Sequence, residues 1–312
     1  MKAKIPNQYA GQRLDKALIL LFPETSLRHR RRLFTSWNIR VDDVVRGPAF
    51  KVQAGQELIA IEKSDADQAS LLRRAAVHAV SPPWAALYKP AGLDSVTLPG
   101  GSRPGLDQIL VELDSAETAH SEESPGWRLA SRLDRDVSGL VVAVQGRGAE
   151  ERFRRMEAAG EVGKTYLLLA DTADAARLSA DQERIIKNAL DMHDRRKVRV
   201  LDEDDPDPSR WTHLAVLGQI LLDDKKMTLV RAEIARGARH QIRAHAAAAG
   251  LPIVGDPIYG AGAHPSGILF LHCAALRVEG FAVECPPPWD AALGEEGGRL
   301  LDLAELASSP EK

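Results

Sequence analysis

The sequence predicts an α+β protein in two parts: a small N-terminal domain and a larger one built on a mixed, mostly antiparallel β-sheet with flanking helices and loops. Three observations point to it. The 312 residues exceed one average domain. A polar, Ala-rich stretch from Lys63 to Pro83 separates two segments with their own apolar patterns. Beyond it, short apolar runs follow one another with few helical patterns between them, which favours an antiparallel sheet over alternating strand and helix. The expected division is a domain at 11–62, a linker at 63–79, a domain at 80–290 and a C-terminal tail at 291–312.

In the first domain, Leu14, Leu18 and Leu21 recur at helical spacing and Pro23 closes the pattern. Ser26 caps a second helix, LRHRRRLFTSW, whose Leu27, Leu33, Phe34 and Trp37 alternate with basic residues. Asn38, tolerant of the left-handed conformation, is expected to end that helix. Strands follow in IRVDD and QELIAIE, with KVQAG as the turn before the second. Within the linker, QASLLRRAAV can hold a short helix, and WAALYKPAGL opens the second domain. VELDSAETAHSEESPGW is acidic and Ser-rich and reads as a surface loop. Leu140 to Val144 has no polar face, as in a strand covered on both sides. EERFRRMEAA, stopped by Gly160, is an amphipathic helix with Phe153 and Met156 inward. KTYLLLA, RKVRVL, THLAVLGQILL, KMTLVRAEIA and ILFLHCAALRV are further strands. A helix from about Arg239 to Ala249 is terminated by Gly250 and Pro252.

Hydrophobic content of 44% and charged content of 27% are those of an ordinary globular protein. No apolar run approaches the roughly 18 residues of a membrane span, and the N-terminus lacks the apolar centre of a secretory signal. A cytoplasmic location without a membrane partner is expected. Cys273 and Cys285 form neither a disulfide framework nor a paired-thiolate zinc site. His240 and His245, five residues apart, do not share a helix face as metal-binding pairs do, so no metal is expected. Net charge is −3, yet residues 1–62 hold eleven basic and six acidic side chains, the asymmetry of an anion-binding module joined to something else. Arg28, Arg30, Arg31 and Arg32 are its densest cluster, read as phosphate contacts in preference to a solvated helix face.

Three local signals suggest chemistry. In SRLDRDVSGLVVAVQ, four charges, Arg132, Asp134, Arg135 and Asp136, sit at the mouth of a buried strand. GKTYLLLA starts a strand with Lys164 and Tyr166 on the same side. In GARHQIRAHAAAAGLPIVGDPIYG, Arg239, His240 and Arg243 fall on one helix face. Taken singly, Asp134 and Asp256 are turn acids, Tyr166 and Leu271 core residues, and Lys89 a phosphate contact or a solvated strand-end lysine.

Together these residues carry a resemblance. YKPAG (88–92), RLDRDVSGLVVAV (132–144), KTY (164–166), ARHQIRAH with GLPIVGDPIYG (238–260) and LFLHCAALRV (269–278) occur in the motif order of the RluA-type pseudouridine synthase family. Ser131 and Val137 replace that family's usual His and Thr, and Ala238 stands where an Arg is common, with Arg239 beside it. The first domain resembles the RNA-binding domain of small-subunit ribosomal protein S-four in RLDKAL, the basic helix, NIRVDD and VQAGQELIAIE.

The resemblance implies isomerisation of uridine to pseudouridine in RNA without metal or organic cofactor. It assigns Asp134 as the catalytic carboxylate, acting as nucleophile or as base at the ribose. Arg243 pairs with it, and Tyr166 stacks on the uracil and assists proton removal from ring carbon 5. Arg132 fills the space of the flipped-out uridine. Lys89, Lys164, Arg239 and His240 join the N-terminal arginines as RNA contacts, while Arg135 and Asp136 form local ion pairs. Large-subunit rRNA is the expected substrate and a monomer suffices. The alternatives are a tRNA synthase, or an RNA-binding ribosome assembly factor that keeps the fold without catalysis. A glycosidase using Asp134 and Asp136 fits poorly, because carboxylates two apart on a turn need not face one another.

Overall fold

The computed structural model describes residues 1–293 apart from 43, 63–64, 98–102, 119–125, 172–182, 195, 223–224, 261–263 and 265–266. Most of the expected tail, residues 294–312, lies outside the described residues.

β1 (Lys2–Lys4), α1 (Leu14–Ala17), α2 (Leu27–Ser36), β2 (Trp37–Val41), β3 (Val44–Val45) and β4 (Glu57–Glu62) form an N-terminal unit. Its four-stranded sheet has the order β1-β4-β2-β3 and its own core of Ile5, Leu14, Leu18, Ile39, Val52 and Leu58. The unit begins before residue 11, because β1 pairs with β4 and the terminal ammonium donates to the Ala60 carbonyl at 2.8 Å. Three residues are too short for an alternation to be seen in sequence. Ser26 caps α2 as expected, accepting from the His29 amide at 3.2 Å. Asn38 does not end α2: it is extended within β2, and Asp42 takes the left-handed turn with φ 50°. The Asp42 carboxylate rewards that conformation by accepting the Glu57 amide at 2.8 Å.

The second part comprises α3 (Asp65–Arg74), β5 (Ala76–Ser81), β6 (Trp84–Lys89), α4 (Leu110–Thr118), β7 (Trp127–Leu129), β8 (Ser138–Gln145), α5 (Gly146–Ala158) and β9 (Gly163–Asp171). It continues through β10 (Glu183–Ile186), β11 (Asn188–Asp191), β12 (Arg199–Asp204), β13 (Thr212–Leu222) and β14 (Lys225–Ile234). α6 (Gln241–Ala248), β15 (Leu271–Val278), β16 (Phe281–Glu284) and α7 (Asp290–Leu293) complete it. Ten strands make one mixed sheet of order β10-β13-β14-β9-β15-β8-β6-β5, with β16 on β15 and β7 on β8. β11 and β12 form a separate hairpin. Among the described strands of this sheet only β15 and β8 pair in parallel.

Two stretches differ from expectation. Residues 65–81 hold α3 and the edge strand β5, so ordered structure begins inside the expected linker. Leu71, Leu72 and Ala75 pack against the sheet, which explains why this stretch is not a free tether. The acidic stretch read as a loop begins as α4, because Leu106, Ile109, Leu110 and Leu113 recur at helical spacing and pack beneath β6 and β8. Its later residues, 119–125, lie outside the described residues.

β8 is covered on both sides as predicted. Leu140, Val142 and Val144 join one core with Phe153 of α5, while Val141 and Ala143 join another with Leu106 and Leu113. Gly139 sits where β8 meets β15, at φ 117°; a Cβ there would lie 2.3 Å from the Cys273 carbonyl oxygen. Beside it, Ser138 Oγ and His272 Nδ1 are hydrogen-bonded at 2.8 Å, and His272 Nε2 meets the Cys285 carbonyl at 2.9 Å. The parallel junction is thereby fixed at the sheet centre, directly after the loop holding Asp134. Among the described residues no helix is long and apolar enough to cross a membrane.

Candidate active site

The loop from Ser131 to Val137 is tied to its surroundings through the backbone. Ser95 Oγ accepts from the Leu133 amide at 3.0 Å and donates to the Leu133 carbonyl at 2.8 Å. Ser131 Oγ accepts from the Val142 amide at 2.9 Å. The Arg135 carbonyl receives the Gly92 amide at 2.8 Å and the Lys89 ammonium at 2.9 Å. These bonds hold Asp134 at the floor of a cavity of about 820 Å³. Tyr166, His240, Arg243, Leu271 and Cys273 also line it, with Arg132 at its exposed rim.

Arg243 projects from α6 between two carboxylates. Its Nε and Nη2 donate to Asp256 at 2.7 and 2.9 Å, and its Nη1 donates to Asp134 at 3.0 Å. The Asp256 side chain is 0% exposed and Arg243 5%, whereas Asp134 keeps 25% of its side chain open to the cavity. Burial alone would lower the Arg243 pKa, but Asp256 and then Asp134 outweigh it and hold the guanidinium above its ordinary value. Burial pushes Asp256 up, and the Arg243 contact, with the amides of Ile258 and Tyr259, brings it below the usual carboxylate range. One guanidinium therefore serves two carboxylates, and of the two Asp134 is the one that faces the cavity.

Tyr166 and Lys164 share a face of β9 as predicted, but do different things. Burial, then the neighbouring Cys273 thiol, pushes the Tyr166 phenol well above its ordinary pKa, so it faces the cavity uncharged. The Lys164 ammonium meets Glu157 of α5 at 2.5 Å, with both side chains nearly buried, so its charge is consumed within the wall.

Helix α6 starts two residues later than the sequence suggests. His240 is its N-cap in the left-handed conformation, φ 54°, so Arg239, His240 and Arg243 are not three positions on one helical face. The His240 ring still reaches the site, with Nε2 3.7 Å from Asp134 Oδ2 and Nδ1 3.1 Å from the Tyr259 hydroxyl. Arg239 instead clasps the β11–β12 hairpin through the carbonyls of Met192 and Asp194.

Several expected RNA contacts are placed elsewhere. Lys89 is 0% exposed and donates to the carbonyls of Pro90, Leu93 and Arg135, so it is neither a phosphate contact nor a solvated lysine. Burial lowers it to about 7, against the pull of Asp136, Asp94 and Asp134. Arg30 turns inward to the carbonyls of Asp15 and Thr25. Arg28 and Arg31 remain on the surface, Arg31 bound to Asp15 at 2.7 Å; the side chain of Arg32 lies outside the described residues. Arg135 donates to the Gly92 carbonyl at 2.9 Å rather than forming an ion pair with Asp136. His245 is structural, between Thr212 and the Asn188 carbonyl. No group of three or more His, Cys, Asp or Glu side chains able to hold a metal occurs among the described residues.

Sequence reasoning missed the pairing of Asp256 with Arg243, the Tyr259 hydroxyl, and the support from Ser95 and Lys89. GDPIYG could have flagged the first two, since a turn acid thirteen residues after a helical arginine is within folding reach of it. Ser95 and Lys89 leave no comparable mark.

Comparison with known proteins accords with this architecture. The family described as RNA pseudouridylate synthase matches residues 83–248, just over half of the chain. The chain is 29% identical over 292 residues to ribosomal large subunit pseudouridine synthase C of Escherichia coli, covering 86% of this chain and 85% of that protein. It is 27% identical over 270 residues to ribosomal large subunit pseudouridine synthase D of Xanthomonas campestris, covering 83% and 74% respectively. In fold, human RNA pseudouridylate synthase domain containing 1 superposes with a TM-score of 0.52 at 20% identity, over 77% of this chain and 98% of that one. With the match running from β6 to the end of α6 and spanning Asp134, Tyr166 and Arg243, the chain belongs to the RNA pseudouridylate synthase family.

Proposed function

We propose that this protein isomerises uridine to pseudouridine in large-subunit ribosomal RNA, with Asp134 as its catalytic carboxylate. The observation that carries the assignment is the shared guanidinium: Arg243 orients the cavity-facing Asp134 through Nη1, while its other two bonds anchor it to the buried Asp256. The reaction breaks the bond between ribose carbon 1′ and uracil nitrogen 1, turns the ring, and joins carbon 1′ to ring carbon 5. The proton displaced from carbon 5 leaves, and nitrogen 1 ends protonated. An ionised Asp134 serves either as nucleophile at carbon 1′ or as base at the ribose. Tyr166 supplies a flat wall on which the freed uracil stacks. As an uncharged phenol it is suited to stacking and hydrogen bonding rather than to removing the carbon-5 proton.

A uridine stacked in RNA must be flipped out, at a cost of a few kcal/mol. Arg132, exposed at the rim with no hydrogen-bond or ion-pair partner among the described residues, is placed to fill the vacancy by stacking. The N-terminal unit, similar in sequence to the S-four domain, holds RNA through Arg28 and Arg31. The protein works as a cytoplasmic monomer.

Release of tritium from RNA labelled at uracil carbon 5 tests this, comparing wild type with Asp134→Asn on unmodified rRNA and tRNA. Release from rRNA by wild type alone is the expected result. Release from tRNA alone would transfer the activity to tRNA. Binding without release, on naked rRNA and on precursor particles, would make the protein an assembly factor.

A further inference from the structure

We propose that Tyr259 fixes His240 as a neutral imidazole with its proton on Nε2, making both of them positioning residues for Asp134. The inference rests on Asp134 being the catalytic carboxylate. Counting protons at one hydroxyl leads to it. The Val198 amide donates to the Tyr259 hydroxyl oxygen at 2.6 Å. The hydroxyl keeps one proton and one further lone pair, its other hydrogen-bond partner among the described residues is His240 Nδ1 at 3.1 Å, and in this proposal the hydroxyl proton fills that bond. An imidazole nitrogen that accepts carries no proton, so a neutral ring carries its proton on Nε2. That nitrogen lies 3.7 Å from Asp134 Oδ2. The separation is too long for a hydrogen bond in the free protein but aims an N–H dipole at the carboxylate, and such contacts tighten when substrate binds.

The ring has little freedom to do otherwise. His240 holds a left-handed backbone, φ 54°, uncommon outside glycine and a recurrent cost at functional sites. Its ring meets Tyr259 edge to face at 86°. Around it stand Asp134, Asp256, Arg239 and Arg243, with the Lys197 ammonium 5.6 Å from the centre of the Tyr259 ring. Burial, then Arg243 and Arg239, lower the imidazole pKa against the pull of Asp134, in keeping with an uncharged ring.

Neutrality matters because Asp134 and Asp256 already share the guanidinium of Arg243. An imidazolium would add a second cation beside Asp134 and weaken it as nucleophile or base; an Nε2–H orients the carboxylate without doing so. Val198 stands immediately before β12, and Arg239 grips the same hairpin at Met192 and Asp194. The orientation of His240 is thus anchored in the β11–β12 hairpin.

Long-range proton–nitrogen spectra of the RNA-free full chain, labelled with ¹⁵N-histidine, test the assignment, with the His240 signals identified by their loss in His240→Gln. The expected spectrum at neutral pH shows an unprotonated Nδ1 and a protonated Nε2. In Tyr259→Phe, the expected changes are a mixture of tautomers and about a tenfold fall in kcat for tritium release with KM for RNA retained, the effect of losing one hydrogen bond. A wild-type ring protonated on Nδ1, or on both nitrogens, overturns the proposal, as does Tyr259→Phe with wild-type tautomer or wild-type kcat. The wild-type spectrum decides even where the variant does not fold. Because it is recorded without RNA, it stands apart from any failure to find activity.

Discussion

Asp15 and Asp256 are both fully buried and both bound by arginine, yet the ratio of guanidinium to carboxylate is reversed between the two clusters. Asp15 is one carboxylate between two guanidiniums, Arg13 at 3.1 Å and Arg31 at 2.7 Å, whose side chains are 43% and 52% exposed. Asp256 shares one buried guanidinium with a second carboxylate, Asp134. The first arrangement faces solvent with a positive excess, suited to a phosphate backbone. The second turns one of its two carboxylates, Asp134, toward the cavity and keeps the other, Asp256, buried behind it. A buried ion pair is weak evidence of stability by itself. What it says about function lies in its stoichiometry and in which member is left facing out.

The sharpest way to break the contrast is to remove the outward carboxylate alone. Asp134→Asn should lower tritium release by about 10⁴-fold or more, the scale of losing a catalytic nucleophile. Thermal unfolding should change little, because Arg243 keeps both bonds to Asp256. Retained activity would move catalysis to another group. Arg243→Met leaves Asp256 a buried charge without its cation, held by the Ile258 and Tyr259 amides alone. Denaturant unfolding should show a loss of about 3–5 kcal/mol in addition to lost turnover. A stable Arg243→Met protein would mean that Asp256 finds other support.

The outward half of this arrangement was visible in the sequence and the inward half was not. Asp134, Tyr166 and Arg243 stand in motifs whose order carries the family resemblance, and Leu140 to Val144 announces a strand covered on both sides. Asp256 looked like a turn acid and is one, since its Oδ1 accepts the Ile258 and Tyr259 amides, but local sequence cannot show that its other bonds reach α6. Lys89 follows an apolar strand and precedes Pro-Ala-Gly, which describes an exposed strand end as well as it describes this buried one. Arg30 and Arg31 are adjacent, and only the tertiary position of Asp15 turns Arg30 inward. The residues 106–113 of the α4 region were legible in principle, because their apolar spacing is helical; the acidic composition that follows obscured it.

Acid should erode both clusters in the same direction. Burial raises Asp15, and its hydrogen bonds from Arg13 and Arg31 reverse the shift; Asp256 follows the same order of causes with Arg243. For each, the folded pKa lies below the unfolded value near 4, so the stabilisation is complete above that value and is lost as pH falls through the folded pKa. Unfolding free energy should therefore be flat in this respect from pH 7 to about 5 and fall below about 4. Asp256→Asn should remove part of that acid dependence. An unchanged slope in the variant would assign it to other carboxylates.

The smallest expected effect falls on the positive side of the comparison. Arg31→Ala leaves Asp15 paired with Arg13 in a one-to-one contact, so the ion pair is kept while the excess of this one cluster is lost. RNA affinity should weaken by a similar factor for every RNA sequence offered. The slope of log affinity against log salt should fall by about one, as for the loss of one phosphate contact. The change belongs in KM, whereas Asp134→Asn acts on kcat. A salt slope identical to wild type would leave Arg31 as a structural partner of Asp15 and move the RNA contact of this unit to Arg28. The stoichiometric rule would then account for the sign of the surface without identifying the residue that uses it.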